Sequence, residues 1–312
     1  MTTHKPFRVG AVVDHALQSR TPVVALETAL VTHGLPRPRN IETAIAMEDN
    51  VRSSGAVPAT IGILHGEIIV GMTREELTAL SEVPHPLKAS SRGLPYVLAT
   101  GNSAGLTVSG TAWLAARAGI DIFATGGIGG VHHGAEETGD ISTDLWELAG
   151  TPVAVICSGV KSILDIGRTL EYLETAGVPV YGYQTDEFPA FFSGASGYDV
   201  PFRLEDPEHA ARIWIAHRTL DLGRAAIVAC PPPVEVEDDA KLQHAIDQAN
   251  QEAREQRVTS GDVTPFVLRR IAEITDGASI EANVALLKHN ARIAGEIAVA
   301  GQPLLPDRTI QG

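Results

Sequence analysis

A chain of 312 residues is long enough for one large α/β domain or two small ones, and 44% hydrophobic with 20% charged residues fits a folded enzyme. A formal net charge of −14 at pH 7 makes a nucleic-acid backbone a poor partner. No apolar run approaches the roughly 18 residues of a membrane span, Met1 to Pro6 hold no segment suited to secretion, and Cys157 and Cys230, both closing apolar runs, set no disulfide or zinc framework, so a cytoplasmic protein with neither nucleic-acid nor membrane partner is expected.

The first strand is expected at Val23 to Leu26, ending in Glu27-Thr28. A helix follows over Ile41 to Ser53. Ile61-Gly62-Ile63-Leu64 and Ile68-Ile69-Val70 flank His65-Gly66-Glu67, which predicts a β-hairpin within Ala59 to Gly71. Ile120 to Ala124 is another buried run, closed by Thr125 and the glycine cluster Gly126 to Gly130. Val153 to Ile156 leads to Lys161. A helix is expected from Ser162 to Ala176, with Ile163, Ile166, Leu170 and Leu173 on one face. Val178 to Tyr183 is a strand ending in Gln184-Thr185-Asp186-Glu187. Pro207 to Leu220 is helical, Ala225 to Ala229 is a strand, and Asp239 to Glu255 is helical. Pro265 to Ala300 carries two further helices parted near Asp276-Gly277. Such alternation predicts βαβ units and a largely parallel central sheet. With no repeat and no long linker, residues 1–312 read as one domain.

In open parallel sheets, ligands bind beyond the carboxyl ends of the strands. The glycines and polar groups of this chain collect there. Lys161 closes the apolar run that starts at Pro152. A Lys there either snorkels from a helix start or attacks a carbonyl carbon as a Schiff-base nucleophile. Glu27 is either a carboxylate bonded to loop backbone or a partly buried proton donor. Asp140 and Asp144 flank Ile141-Ser142-Thr143. They read as helix caps, or as an anion seat beside a metal-binding carboxylate. One carboxylate with few co-ligands suits a water-rich Mg²⁺ or Mn²⁺, whereas His132-His133 lacks the second pair that zinc needs. His33 reads as a loop histidine. Lys88 is a surface cation or, inside the pocket, a phosphate ligand. The glycine cluster nearly fits the dinucleotide fingerprint, but His132 replaces the last Gly. Val160 breaks the phosphate-loop pattern before Lys161. What is left is a backbone that a ligand can approach closely.

The ordered segments Ala25-Leu26-Glu27-Thr28 with His33-Gly34-Leu35-Pro36, Gly126 to Glu136, and Asp140 to Leu145 carry a resemblance, as do Gly159 to Asp165, Gly182 to Phe191, Val263-Thr264-Pro265-Phe266 and Glu281 to Leu286. Over nearly the whole chain they resemble the pseudouridine-5′-phosphate glycosidase family. The resemblance implies a single α/β/α layered domain assembled as a homotrimer. It implies an enzyme that reversibly breaks the C–C bond between uracil and ribose 5-phosphate. Ordinary glycosidases protonate a leaving oxygen between two carboxylates; a carbon leaving group needs another route. On this resemblance Lys161 attacks C1′ after the sugar ring opens, forming an imine-type intermediate, and Glu27 is the proton donor. Asp140 holds Mn²⁺ largely through water. Lys88, the backbone at Val108, and Ser142, Thr143 and Asp144 seat the sugar phosphate. His132 and Asn283 lie near sugar and base.

The chain departs from the family pattern at four places. Gly139 stands where a large residue precedes the metal-binding Asp, Cys230 where an Asn is usual, and Gly194 and Gly93 near a usual Arg and Asp. These changes predict a roomier acceptor pocket, with a side chain at position 139 projecting toward it. The family includes C-ribosylating synthases of the alnumycin type, so a C-glycosynthase for a bulky aromatic acceptor is the second reading. A non-catalytic sugar-phosphate binding protein is the third, and the joint retention of Lys161, Glu27 and Asp140 opposes it.

Overall fold

The computed structural model describes residues 7–234, 239–256, 258 and 263–304. The expectation for Met1 to Pro6 therefore lies outside the described residues.

Strand β1 (Arg8–Val9) and helix α1 (Ala11–Ser19) precede β2 (Val23–Leu26), which is buried along its whole length. A π-helical turn over Leu30–Gly34 leads to α2 (Arg39–Ser53). The predicted hairpin is β3 (Val57–Leu64) and β4 (Glu67–Val70), paired antiparallel. Its two-residue turn has His65 at φ 50° and Gly66 at φ 78°, the backbone that matches the twist of flanking strands. Then come α3 (Arg74–Glu82), β5 (Leu87–Ala89), α4 (Leu94–Thr100), β6 (Ala104–Leu106), α5 (Val108–Ala118) and β7 (Ile122–Ala124).

The second half holds β8 (Val131–His132), α6 (Ala135–Thr138), α7 (Thr143–Leu148), β9 (Ala154–Cys157) and β10 (Leu164–Asp165). It continues with α8 (Ile166–Thr175), β11 (Val180–Tyr183), β12 (Phe202–Leu204), α9 (Pro207–Thr219) and β13 (Ala226–Ala229). Three helices close it: α10 (Asp239–Glu255), α11 (Val263–Ile274) and α12 (Ala278–Gly301).

Strands β3, β2, β7, β9, β13, β11 and β12 form a continuous parallel set, extended through β3 by antiparallel β4 and β6. Strands β8 and β10 form a separate antiparallel pair. The central strands β2, β7, β9 and β13 expose almost nothing, as their unbroken apolar sequences require. Helix α12 lies against β2, β7 and β9 and packs on α2 and α9, while α5 lies against β2, β3 and β7 and packs on α7. This is the α/β architecture with a largely parallel sheet and a hairpin that the sequence predicts.

One boundary is corrected. The helix expected at Ser162 starts at Ile166, because Leu164 and Asp165 pair with His132 and Val131 and Asp165 caps the helix by accepting from the Arg168 amide at 3.0 Å. Lys161 therefore sits in a loop rather than at a helix N-terminus. Among the described residues, no helix is long and apolar enough to cross a membrane.

Candidate active site

Glu27 directly follows β2 and is only 6% exposed. The Thr125 hydroxyl, at the end of β7, donates to its Oε1. Burial pushes the Glu27 carboxyl above its ordinary value; Lys161, the Thr125 bond and Lys88 pull it back, and Asp144 adds to the rise. Glu27 is thus a buried acid with two cations facing it, which is the environment of a proton donor.

The glycine cluster after β7 is shaped around Asp144. The Asp144 carboxylate is buried and accepts from the amides of Ser109 at 2.8 Å and Gly129 at 2.9 Å. A Cβ on Gly129 would come within 2.6 Å of Asp144 Oδ2 and 2.2 Å of Ser142 Oγ, so only glycine allows this approach. Ser142 caps α7 by accepting from the Asp144 amide at 3.2 Å. The Asp144 side chain therefore clamps the first turn of α5, opened by Val108, and the glycine loop after β7 onto α7. Two of the first-turn amides are thereby occupied, that of Ser109 by the Asp144 carboxylate and that of Asp144 by the Ser142 hydroxyl. Ser142 and Thr143 remain half-buried beside them.

Lys161 is half-buried four residues past β9, with its amide donating to the Ile128 carbonyl at 3.1 Å. Lys88 is half-buried on β5, paired with Gly105. A cavity of about 60 Å³ brings Glu27, Lys88, Lys161 and Asn283 together, with His33 and Phe191 in its wall. Helix α11 supplies Thr264, Pro265 and Leu268 to the same wall. A larger cleft of about 560 Å³ lies at the opposite, amino edge of the sheet among Pro22, Ile120, Pro152 and Trp214 and contains none of the predicted site residues. Chemistry, not volume, marks the smaller cavity as the candidate site.

Asp140 and His132 stand together outside that wall. Val131 bridges Ile141, and the His132 amide donates to the Asp140 carbonyl at 3.1 Å. Burial lowers the His132 pKa below its usual value, Asp140 raises it, and His133, Lys88 and Lys161 lower it, so His132 shares the field of both lysines. Among the described residues, no three His, Cys, Asp or Glu side chains gather as a metal cage. The half-buried Asp140 carboxylate fits a hard ion that keeps most of its waters and does not fit zinc.

None of the four departures from the family pattern lines the cavity. Gly139 is exposed, at φ 64° in the αL region, with nothing within 4 Å of a built Cβ. A side chain there points into open space, which corrects the expectation that it projects toward an acceptor. Cys230 is buried directly after β13, its amide donating to the Cys157 carbonyl on β9 at 2.8 Å; burial raises both thiols, Cys157 to about 12. Both are inert core thiols, as their sequence setting predicts. The sequence reading missed Thr125, Phe191 and Asn290. For Asn290 the available signal was its seven-residue spacing from Asn283.

A parallel sheet with a lysine, a buried carboxylic acid and a closely approached glycine loop at its carboxyl edge defines an α/β enzyme. Residues 12–300 match the family described as Indigoidine synthase A like protein, and the chain belongs to that family. It is 50% identical over 289 residues to the pseudouridine-5′-phosphate glycosidase of Alkaliphilus metalliredigens, covering 92% of this chain and 94% of that protein. It is 48% identical over 303 residues to the Escherichia coli (strain K12) protein of the same name, covering 96% of each. Among solved structures, it resembles the prealnumycin C-glycosynthase AlnA in complex with ribulose 5-phosphate, with TM-score 0.88, 38% identity and coverage of 96% of this chain and 98% of that one.

Proposed function

We propose that this enzyme reversibly cleaves pseudouridine 5′-phosphate into uracil and ribose 5-phosphate through an imine at Lys161. The observation that carries this reading is the shared cavity of Lys161 and the buried acid Glu27, in a chain about half identical to glycosidases of that name. In the bond-forming direction, the Lys161 amine adds to C1′ of open-chain ribose 5-phosphate and water leaves, giving the imine. The C5 electron pair of uracil then attacks C1′, the C=N pair returns to nitrogen, and the Glu27 carboxylate takes the C5 proton. The 4′-hydroxyl oxygen finally displaces the Lys161 amine from C1′ and closes the ring, and its proton passes to the departing amine. In reverse, Glu27 protonates C5 as the C1′–C5 bond breaks, so no glycosidic oxygen is needed as leaving atom.

Lys88, the Val108 amide, Ser142 and Thr143 seat the phosphate, and Asp144 holds that seat together through its two amide bonds. His132 and Asn283 contact sugar and base. Asp140 would hold Mn²⁺ with waters, supplying positive charge near an anionic substrate. A homotrimer is part of the proposal, supported by the exposed Tyr96, Ile141 and Trp146. So is a cytoplasmic setting, since a charged phosphate ester does not cross a bilayer unaided.

The likeness to AlnA supports a second reading, in which a larger aromatic carbon replaces uracil. Turnover with ribose 5-phosphate and either uracil or an aromatic polyketide decides between them. Borohydride trapping of a pentose phosphate on Lys161 tests the shared step. Absence of both trapping and uracil turnover overturns the proposal.

A further inference from the structure

Asn290 is fully buried on α12, two turns beyond Asn283. Residues 283, 287 and 290 share one helix face by their i, i+4, i+7 spacing. Asn283 and Leu287 line the cavity, and Asn290 lies beneath it. Its Nδ2 donates to the Thr125 carbonyl at 2.9 Å and to Ser158 Oγ at 3.1 Å, with the Gly126 carbonyl at 3.5 Å. Thr125 closes β7 and Ser158 closes β9, so one amide ties the loop bearing the partner of Glu27 to the loop leading to Lys161. Backbone bonds from Thr125 to Ile156 at 3.0 Å and from Ser158 to Gly126 at 2.8 Å complete the junction. Without the amide, the buried Thr125 carbonyl would lose its donor, and the Thr125 backbone would be held only by its amide bond to Ile156.

We infer that Asn290 is a positioning residue: it fixes the Thr125 backbone so that the Thr125 hydroxyl meets Glu27, and through that bond sets the acidity of the proton Glu27 delivers. This rests on the proposed role of Glu27. The charged groups that act on Glu27 are Lys161, Lys88 and Asp144, with His33 in the same cavity wall, whereas the Asn290 amide nitrogen donates to Thr125, Gly126 and Ser158. Its influence therefore runs through Thr125. The Thr125 bond favours the ionised carboxylate, so loosening it moves the Glu27 titration upward.

The test is an infrared titration of the Glu27 carboxyl in ligand-free protein, read as the difference from Glu27→Gln. Asn290→Leu, close in volume, is expected to raise the midpoint by about 0.5 pH unit or more, as is Thr125→Val. The double variant should shift no further, because both act on one bond. Thr125→Ser, which keeps the hydroxyl, should restore the parent midpoint. Cleavage of pseudouridine 5′-phosphate by Asn290→Leu should fall about tenfold in kcat with KM little changed. A lowered melting temperature with an unmoved midpoint, or additive shifts in the double variant, overturns the inference. If Asn290→Leu does not fold, Asn290→Gln displaces the same amide and is read by the same midpoint. Because the titration needs no substrate, its failure leaves the reaction assignment standing, and absence of turnover in the parent protein strikes that assignment instead.

Discussion

Glu27 and Lys161 line one cavity, and the lysine's charge offsets part of the burial that raises the Glu27 carboxyl. In the proposed mechanism the two divide the labour of C–C cleavage: the amine bonds to the sugar carbon and the acid supplies the proton to the base. The division predicts separable defects. Lys161→Ala should abolish both turnover and borohydride trapping with ribose 5-phosphate, a loss of several orders of magnitude. Glu27→Gln should abolish turnover yet still trap. Mass spectrometry of the adduct checks the site, and a pentose phosphate on Lys88 would reverse the roles of the two lysines.

Burial of Glu27 also has a stability signature. Its folded pKa lies above the unfolded value, so its contribution is fully present below the ordinary carboxylate range and is lost as pH rises through the folded value. Glu27→Gln cannot ionise. Its stability relative to the parent should grow from about pH 5 upward, by about 1.4 kcal/mol per pH unit between the two pKa values. Chemical denaturation across that range measures it. Identical pH dependence in the two proteins would show that ionising Glu27 costs the fold nothing.

The ends of β2, β7 and β9 were legible because their apolar runs are unbroken and their polar closers stand out, which exposed Glu27 and Lys161. The start of α8 was not. Ile163 fits its helical face by spacing, yet Leu164 and Asp165 pair with His132 and Val131, which sequence places over thirty positions away. Periodicity sees only local neighbours. For the same reason Asn290 passed unseen: its partners Thr125 and Ser158 meet it only because α12 crosses β7 and β9. The departures at Gly139 and Cys230 were visible, but their distance from the cavity was not.

Asp144 offers the clearest test of how the anion seat is built. Each carboxylate oxygen accepts one buried amide. Asp144→Asn turns one acceptor into a donor facing Ser109 or Gly129. The fold should lose about 1–3 kcal/mol, and KM for ribose 5-phosphate should rise more than kcat falls. An unchanged KM would mean that the seat does not depend on this clamp.

Asp140 carries the metal prediction. Calorimetry should detect Mn²⁺ binding to the parent protein and not to Asp140→Ala, while the melting temperature of the metal-free variant stays close to that of the parent. Zinc should not substitute, given the single oxygen donor. Equal Mn²⁺ affinity in the two proteins would move the ion elsewhere.

Acceptor choice should follow the cavity wall rather than the four family departures. Leu268 on α11 lines the cavity with Pro265 and Asn283, whereas Gly139 lies in the open at φ 64°. Gly139→Phe should therefore cost about 1–2 kcal/mol of left-handed strain and leave the ratio of uracil to larger aromatic acceptors unchanged. Leu268→Ala should raise turnover of larger acceptors relative to uracil, because a removed isobutyl group frees room in the wall. Leu268→Phe should lower it and leave imine trapping at Lys161 intact, since the sugar end is untouched. Side-by-side kcat/KM values for uracil and one bulky phenolic acceptor measure the ratio in all three variants. A ratio that moves with Gly139→Phe and not with Leu268 would place the acceptor beside α6 instead of α11.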